Sequence, residues 1–279
     1  MKIKITVDST NDLSPRLVEK YSVKVTPLSV NLGGKIYRDM LDITPDDIYA
    51  HVDGGGDLPK TSAVNADEYR SVFEECLKDC DAVIHINISS EMSACHQNAL
   101  LAAEGLNVFP VDSRSLSTGS ALLAIRACEM AEEGMEAPAI ADALHSMTDK
   151  VDASFLAGHL DYLYKGGRCS AVAMLGANLL KLRPCIEVRD GVMGVGKKYR
   201  GGFVRCLEAY VKDRLADAGD IDTRRIFITH SGVPDDAIDA VRRTIEECMT
   251  FDEILVTRAG CTISSQCGSG TLGILYMHK

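Results

Sequence analysis

Absences narrow the function of this chain first. None of its ten cysteines forms a CxxC pair. Cys76 and Cys80 are near neighbours, as are Cys261 and Cys267, but no histidine beside them completes a zinc-type set. Scattered cysteines in a chain of this length predict reduced, partly buried thiols in a cytosol. There is no excess of basic residues. The net charge is −10, which argues against nucleic acid and against an anionic membrane surface as partners. No stretch approaches the roughly 18 apolar residues of a membrane span. The first residues, Met1-Lys2-Ile3-Lys4-Ile5-Thr6-Val7, alternate like a strand and contain no apolar signal region. These absences predict a cytoplasmic protein with no integral membrane contact.

Familiar chemical motifs are missing as well. No GxGxxG follows a strand, and no GxSxG elbow occurs. Gly191 to Lys198 nearly spells a phosphate loop, but it lacks the final Ser or Thr and falls in a hairpin pattern. None of the seven histidines forms HxxxH or HxH, so no metal site is predicted. Internal repeats and low-complexity tracts are absent too.

What is present suits a folded protein. Of 279 residues, 46% are hydrophobic and 25% charged, enough for one large domain or two ordinary ones. Up to about Lys150 the pattern alternates strand and helix. Ile3, Ile5 and Val7 predict a strand, and Pro15 opens a helix with Leu17 and Val18 inward. Val23 to Leu32 alternates again, and Gly33-Gly34 marks a hairpin turn. Thr44-Pro45 starts a helix, and 53–57 is a glycine-rich loop. Pro59-Lys60-Thr61-Ser62 predicts a hydroxyl-rich turn before a helix with Tyr69, Val72, Phe73 and Leu77 on its stripe. Val83 to Ile88 predicts a buried strand, with His85 as a core residue. Asn107 to Val111 predicts another strand, followed by a strongly apolar helix to Ala131.

This rhythm implies a parallel sheet with helices on both faces and ligands off the carboxyl ends of the strands. The texture changes near 149–151. Beyond it, short strands, a helix over 171–180, a hairpin turning at Asp190-Gly191, and further helices and strands predict a mixed or antiparallel sheet backed by helices. The expected fold class is α/β with two domains. Residues 1–150 form a three-layer α/β/α domain with a mainly parallel sheet, and residues 151–279 form a two-layer α/β domain.

Polar turns at Asp8, Ser89 and Asp112 all follow strands, so they share one sheet edge. They supply small donors: Ser9, Thr10, Ser89, Ser90, Ser93, Ser113 and Ser117, with Thr61 and Ser62 able to join them. Ser93 begins a helix-compatible stretch, and its hydroxyl serves equally as a helix cap or as a ligand contact. Lys165 and Arg168 add positive charge. Such a set suits a carboxylate or phosphate. It shows no evident nucleophile and base, so it reads as binding. A competing reading is an enzyme on a small phosphate or acyl substrate, with Asp112 or His230 as acid or base.

The same residues resemble the DegV family of bacterial fatty-acid-binding proteins. The matching pieces are Asp8-Ser9-Thr10 with Asp12, Lys60-Thr61-Ser62, Ser89-Ser90-Glu91-Met92-Ser93, and Val111-Asp112-Ser113-Arg114. Later come Lys165-Gly166-Gly167-Arg168, Leu179 to Pro184, His230-Ser231-Gly232 and Gly268-Ser269-Gly270-Thr271. The resemblance implies two α/β domains holding a long-chain fatty acid between them, with no other cofactor. It places the carboxylate on Thr61, Ser62 and Ser93 and on the helix start at Ala94 and Cys95. Arg168, Gln266 and His230 lie in the head-group vicinity. It also implies a carrier without catalysis of its own, serving a separate fatty acid kinase subunit in phospholipid synthesis. A lipid-sensing regulator is the variant without that partner.

Three positions depart from the family pattern. Ser93-Ala94-Cys95 replaces Ser-Gly-Thr, Val64 stands where proline is frequent, and Gln266 stands where a histidine is expected. A glutamine donates a hydrogen bond but carries no charge. Leu122, Leu123 and Ile125, with Met174, Leu175, Leu179 and Leu180, are the candidate walls of an acyl tunnel.

Overall fold

A computed structural model of the chain describes residues 1–158, 160–169, 182–216 and 218–279. The helix expected over 171–180 lies outside the described residues, and with it Met174, Leu175, Leu179 and Leu180.

The first half runs β1 (Ile3–Asp8), α1 (Pro15–Lys20), β2 (Lys24–Thr26), β3 (Ser29–Leu32), β4 (Lys35–Arg38), α2 (Pro45–Asp53), β5 (Lys60–Ser62), α3 (Ala66–Cys76), β6 (Ala82–Asn87), α4 (Cys95–Ala103), β7 (Val108–Asp112), α5 (Thr118–Glu132) and α6 (Ala137–Met147). Local chemistry explains many of these boundaries. Thr44 caps α2 in a reciprocal box with Asp47, and Asn65 caps α3 in the same way with Glu68. Pro15, Pro45 and Pro138 occupy first turns, where a missing N–H is harmless.

The second half runs β8 (Val151–Leu156), α7 (Leu160–Gly166), β9 (Leu182–Arg189), β10 (Val192–Arg200), α8 (Phe203–Arg214), β11 (Ile221–His230), α9 (Asp235–Cys248), β12 (Glu253–Arg258), α10 (Cys261–Cys267) and β13 (Leu272–His278).

The fold is α/β. One sheet has the order β2-β1-β6-β7 and is parallel throughout. A second sheet has the order β10-β9-β8-β13-β11-β12 and is mixed: only β11 and β12 are parallel. A third, small antiparallel sheet, β4-β3-β5, contains the hairpin expected at Gly33-Gly34 and adds β5 as a third strand.

Two expectations about strands are corrected here. The run Val23 to Leu32 is not one strand. It breaks at Pro27 into β2 and β3, which serve different sheets, because proline has no N–H to continue a ladder. Thr61-Ser62 is not a turn. It belongs to β5, where Thr61 faces Val30 and Ser62 faces Ser29 across the ladder.

Helix α5 joins the halves. Nearly every residue from Thr118 to Met130 is buried, because the helix packs on the parallel sheet through one side and on β8 and β13 through the other. A helix apolar all round needs cover on all sides. Leu122, Leu123 and Ile125 therefore sit in a core shared by Ile5, Val7 and Ile84 of one sheet and Phe227, Leu275 and Met277 of the other. They are core residues and line neither of the two spaces described below. Gly119 makes the approach close: a Cβ there would lie 3.2 Å from Val151 Cγ1 of β8.

Two buried carboxylates of the first half grip the start of α10 in the second. Asp39 accepts the N–H of Cys261 at 2.7 Å, the N–H of Thr262 at 3.1 Å and the Ser9 hydroxyl at 2.9 Å. Asp12 accepts the N–H of Gly260 at 2.7 Å and pairs with the Ser117 hydroxyl. These bonds meet donors that a helix start leaves without partners. Asp39→Ala strands two buried N–H groups. We expect it to lower unfolding free energy by about 2–4 kcal/mol in a urea titration. A change below about 0.5 kcal/mol, typical of a neutral surface site, would show that the grip is dispensable.

Candidate functional site

The carboxyl ends of β1, β6 and β7 form a polar edge. Asp8 lies at its centre, fully buried. It accepts hydrogen bonds from the Tyr69 hydroxyl, from Asn87 Nδ2 at 3.1 Å and from the Ile88 N–H at 3.2 Å. Asp112 accepts the N–H groups of Ser90 and Arg114, at 3.1 and 3.0 Å. The hairpin tip of the second half docks on this edge: Ser89 donates to the Gly191 carbonyl at 2.7 Å, and Arg114 donates to that of Asp190. This hairpin holds the sequence that nearly spells a phosphate loop. Its docking explains the glycine, since a Cβ at Gly191 would come within 2.6 Å of Ser89 Oγ.

A cavity of about 540 Å³, counting the solvent at its mouth, opens beside this edge. Its polar residues are Thr10, Thr61, Ser62, Ser93, Arg168, Thr262 and Gln266. Its apolar residues include Leu28, Ile88, Met92, Leu116, Met193 and Ile263. A smaller space of about 350 Å³ shares Leu116, Ile263 and Cys267 with it. This inner space reaches Phe155 and Leu275 of the second sheet, and its surface is almost entirely apolar.

The sequence candidates distribute as follows. Thr61, Ser62, Ser93, Arg168 and Gln266 line the first cavity. Ala94 and Cys95 are not among its lining residues: Ala94 is exposed and Cys95 is buried. His230 lines the inner space. Ser93 accepts the Cys95 N–H at 3.3 Å, so its hydroxyl touches the start of α4 while facing the cavity. Ala94, not Ser93, occupies the cap position itself. Burial, reinforced by the Asp8 charge, pushes the Cys95 thiol up to about 12. A thiol so protonated is a small apolar group and not a nucleophile.

Three polar atoms in this cavity have no partner among the described residues. They are Thr10 Oγ1, Thr262 Oγ1 and Gln266 Oε1. Buried polar groups are normally paired, so these three leave hydrogen-bonding capacity at the cavity wall for water or a ligand. Gln266 Nε2 donates to Thr61 Oγ1 at 3.4 Å, which leaves the Thr61 proton free to donate elsewhere. Thr262 is the residue that sequence reasoning missed. It stands on α10, a short element whose sequence shows no periodic apolar stripe.

An acid–base enzyme has little support in this geometry. Asp112 is occupied with turn N–H groups. His230 accepts the Gly232 N–H at 3.3 Å, and burial followed by the Arg258 charge depresses its basicity. Thr6, His85 and Asp8 do stand in line, with Thr6 Oγ1 2.7 Å from His85 Nδ1 and His85 Nε2 3.3 Å from Asp8. Thr6 and His85 are fully buried beneath Tyr69 and Phe73 and line neither cavity.

Comparison with known proteins adds the lineage. Residues 2–279 match the sequence profile described as an uncharacterised protein of the DegV family. The chain belongs to the DegV family. A DegV domain-containing protein of Clostridium acetobutylicum is 30% identical over 281 residues, which span 100% of this chain and 99% of that one. A solved DegV family protein of Thermus thermophilus, described by its fatty acid binding, superposes with a TM-score of 0.92 at 32% identity, with 100% of both chains covered. DegV of Bacillus subtilis, described as a fatty acid binding protein, gives 0.86 at 26% identity, again over 100% of both chains. A stearic acid-binding protein of Eubacterium ventriosum gives 0.87 at 26%, over 99% of this chain and 98% of that one. The DegV fold thus extends over the full length described.

One acid beside the site has a pH signature. Burial raises Asp12 from the usual 3.8 to about 8, against the lowering effect of its bonds from Ser117 and Gly260. The folded protein therefore keeps a proton that the unfolded carboxyl releases near pH 4. The stabilisation from this group is complete below that value and is lost as pH rises through about 8. Asp12→Asn keeps an acceptor for Gly260 and removes the titration. In denaturant titrations between pH 5 and 8, wild type should lose stability relative to Asp12→Asn by up to about 1.4 kcal/mol per pH unit. Parallel curves would mean that Asp12 is ionised throughout.

Proposed function

We propose that this protein binds a long-chain fatty acid, with the carboxylate at the polar mouth and the acyl chain in the apolar space behind it. The observation that carries this reading is the pairing of those two features. Unpartnered hydroxyls at Thr10 and Thr262 stand beside Thr61, Ser62 and Ser93, and Leu116 and Ile263 lead inward to Phe155 and Leu275. The hydroxyls donate to the carboxylate, with Gln266 orienting Thr61. Arg168, exposed at the rim, offsets the charge without being buried with it. The fatty acids named for the T. thermophilus, B. subtilis and E. ventriosum relatives support the same assignment. No cofactor beyond the lipid is required.

In this reading the protein is a carrier and not an enzyme. It presents the carboxylate to a separate acyl kinase in the cytoplasm. Tyr164, 59% exposed, and Lys165 stand on the same helix and turn as Arg168 and offer a contact surface at the mouth. In the proposed division of labour, residues 1–150 supply the hydroxyl-rich turns, and residues 151–279 close over the lipid and add Thr262, Gln266 and Arg168 to the head-group site.

Native mass spectrometry of the purified protein tests the binding. A retained mass of fatty-acid size is expected. Thr61→Ala with Ser93→Ala should weaken oleate retention by about 1–3 kcal/mol, or roughly five- to 150-fold, with the fold unchanged by circular dichroism. A protein that takes up no oleate, or a double variant that retains it fully, overturns the assignment. The carrier role has its own assay. With an acyl kinase and ATP, the loaded protein should yield acyl phosphate. Binding without turnover would favour a lipid sensor.

A further inference from the structure

Among the described residues, the inner space behind the first cavity ends against packed core. Thr229, Gly273 and Phe155 stand side by side on β11, β13 and β8 and line it. Side chains two positions apart on a strand share a face. The next row on that face is Phe227, Leu275 and Ala153, which pack around α5 with Leu122 and Leu123. Leu275 belongs to both the space and that core, so it marks where the space stops.

Phe155 is the largest side chain lining this space. It lies outside the α5 core and clusters with Leu116 and Ile263, which the inner space shares with the first cavity. Gly273 fixes its seat. A Cβ at Gly273 would lie 2.4 Å from the Ser154 carbonyl oxygen and 2.8 Å from Phe155 Cβ, so only glycine lets β8 lie this close. The hydroxyls nearby are engaged elsewhere. Thr229 bonds with Thr118 and Thr257, Ser231 donates to the Gly268 carbonyl, and Thr271 donates to that of Cys267. What this end of the space presents to a ligand is therefore hydrocarbon.

We propose that Phe155 sets the length of acyl chain this protein accepts. The inference rests on the fatty-acid reading above. The chain passes Leu116 and Ile263, and its methyl end meets the Phe155 ring. A longer chain has nowhere to place its extra methylenes, because close-packed core yields only by displacing side chains. A shorter chain leaves the ring without contact atoms and forfeits burial. Leu275 shares the wall, but it is anchored among the residues that join the two halves. The ring of Phe155 is thus the part of the wall whose size can change without touching that joint.

The test is competition among laurate, myristate, palmitate, stearate and arachidate for the full-length protein, with the bound masses read by native mass spectrometry. Wild type should show one preferred length. Phe155→Leu makes room and should move the optimum to longer acids, with relative retention rising about fourfold per methylene newly buried. Phe155→Trp fills room and should move the optimum to shorter acids. Opposite shifts from one position are not produced by a general loss of stability. If circular dichroism shows that the Trp variant does not fold, the Leu variant decides alone. A flat wild-type profile, an unmoved optimum in the folded variants, or a shift in the same direction in both overturns the proposal. Retention of no acid at all by wild type overturns the fatty-acid reading as well, whereas retention with an unmoved optimum overturns the role of Phe155 alone.

Discussion

Two carboxylates decide the geometry of this molecule. Asp12 and Asp39 lie more than two hundred residues from the N–H groups they accept at Gly260, Cys261 and Thr262. Burying a carboxylate is unfavourable by several kcal/mol unless its lone pairs are met, and here they are met by backbone donors that also needed partners. Each side thus lowers the other's penalty, though at Asp12 burial outweighs the two bonds and raises the carboxyl to about 8. The result fixes a seven-residue helix that could not persist alone, since short helices nucleate poorly in water. That helix brings Thr262, Ile263 and Gln266 to Thr61 and makes the first cavity a cavity. Asp12 adds a titrating element to the same joint, because its burial leaves it protonated near neutrality.

The second constraint is the burial of α5. A helix between two sheets gives both halves a common core, with Phe227 and Leu275 packed against the same side chains as Ile5 and Ile84. Burying each such side chain contributes about 1.5–3 kcal/mol. The two sheets are therefore held at a fixed separation by α5, while the hairpin tip at Asp190-Gly191 and the grip on α10 close the interface at its polar end. Cavities form where this packing stops, at the carboxyl edge of the parallel strands. That is where parallel α/β sheets leave unpaired N–H groups and loops for a ligand.

Much of this was legible in the sequence, and the failures share a cause. The parallel sheet, its polar edge, the capped helices and the 182–200 hairpin follow from local periodicity, caps and turn residues, which act over a few positions. Thr61, Ser93 and Arg168, whose site role the family resemblance implied, stand around one cavity. What escaped depends on distant partners. β5 is three residues long and exists because Val30 pairs with Thr61. Cys261–Cys267 reads Cys-Thr-Ile-Ser-Ser-Gln-Cys, with no helical stripe, and is held by carboxylates from the other half of the chain. Leu122, Leu123 and Ile125 read as apolar helix in either case; only the position of the second sheet tells core from cavity wall. Cys95 follows the same rule, since the sequence cannot show that its thiol points toward Tyr69 and Asp8.

The makeup of the first cavity bears on how a carrier works. A lipid carrier must hold its cargo and also give it up. For the proposed fatty acid, each buried methylene is worth about 0.8 kcal/mol, whereas a hydrogen bond to a charged group is worth about 1.5–3 kcal/mol. Two to four methylenes therefore match one head-group bond, and a long chain supplies most of the affinity. The head group is then free to be held by neutral hydroxyls, which fix its position without the desolvation of a buried ion pair. Gln266 fits that logic. It orients Thr61 through one hydrogen bond and brings no charge, so the only cation lining the cavity among the described residues is the exposed Arg168. A carboxylate placed this way faces a solvent-accessible cation while its chain remains sheltered. That arrangement allows a partner to approach the reactive end without drawing the chain out of its apolar space.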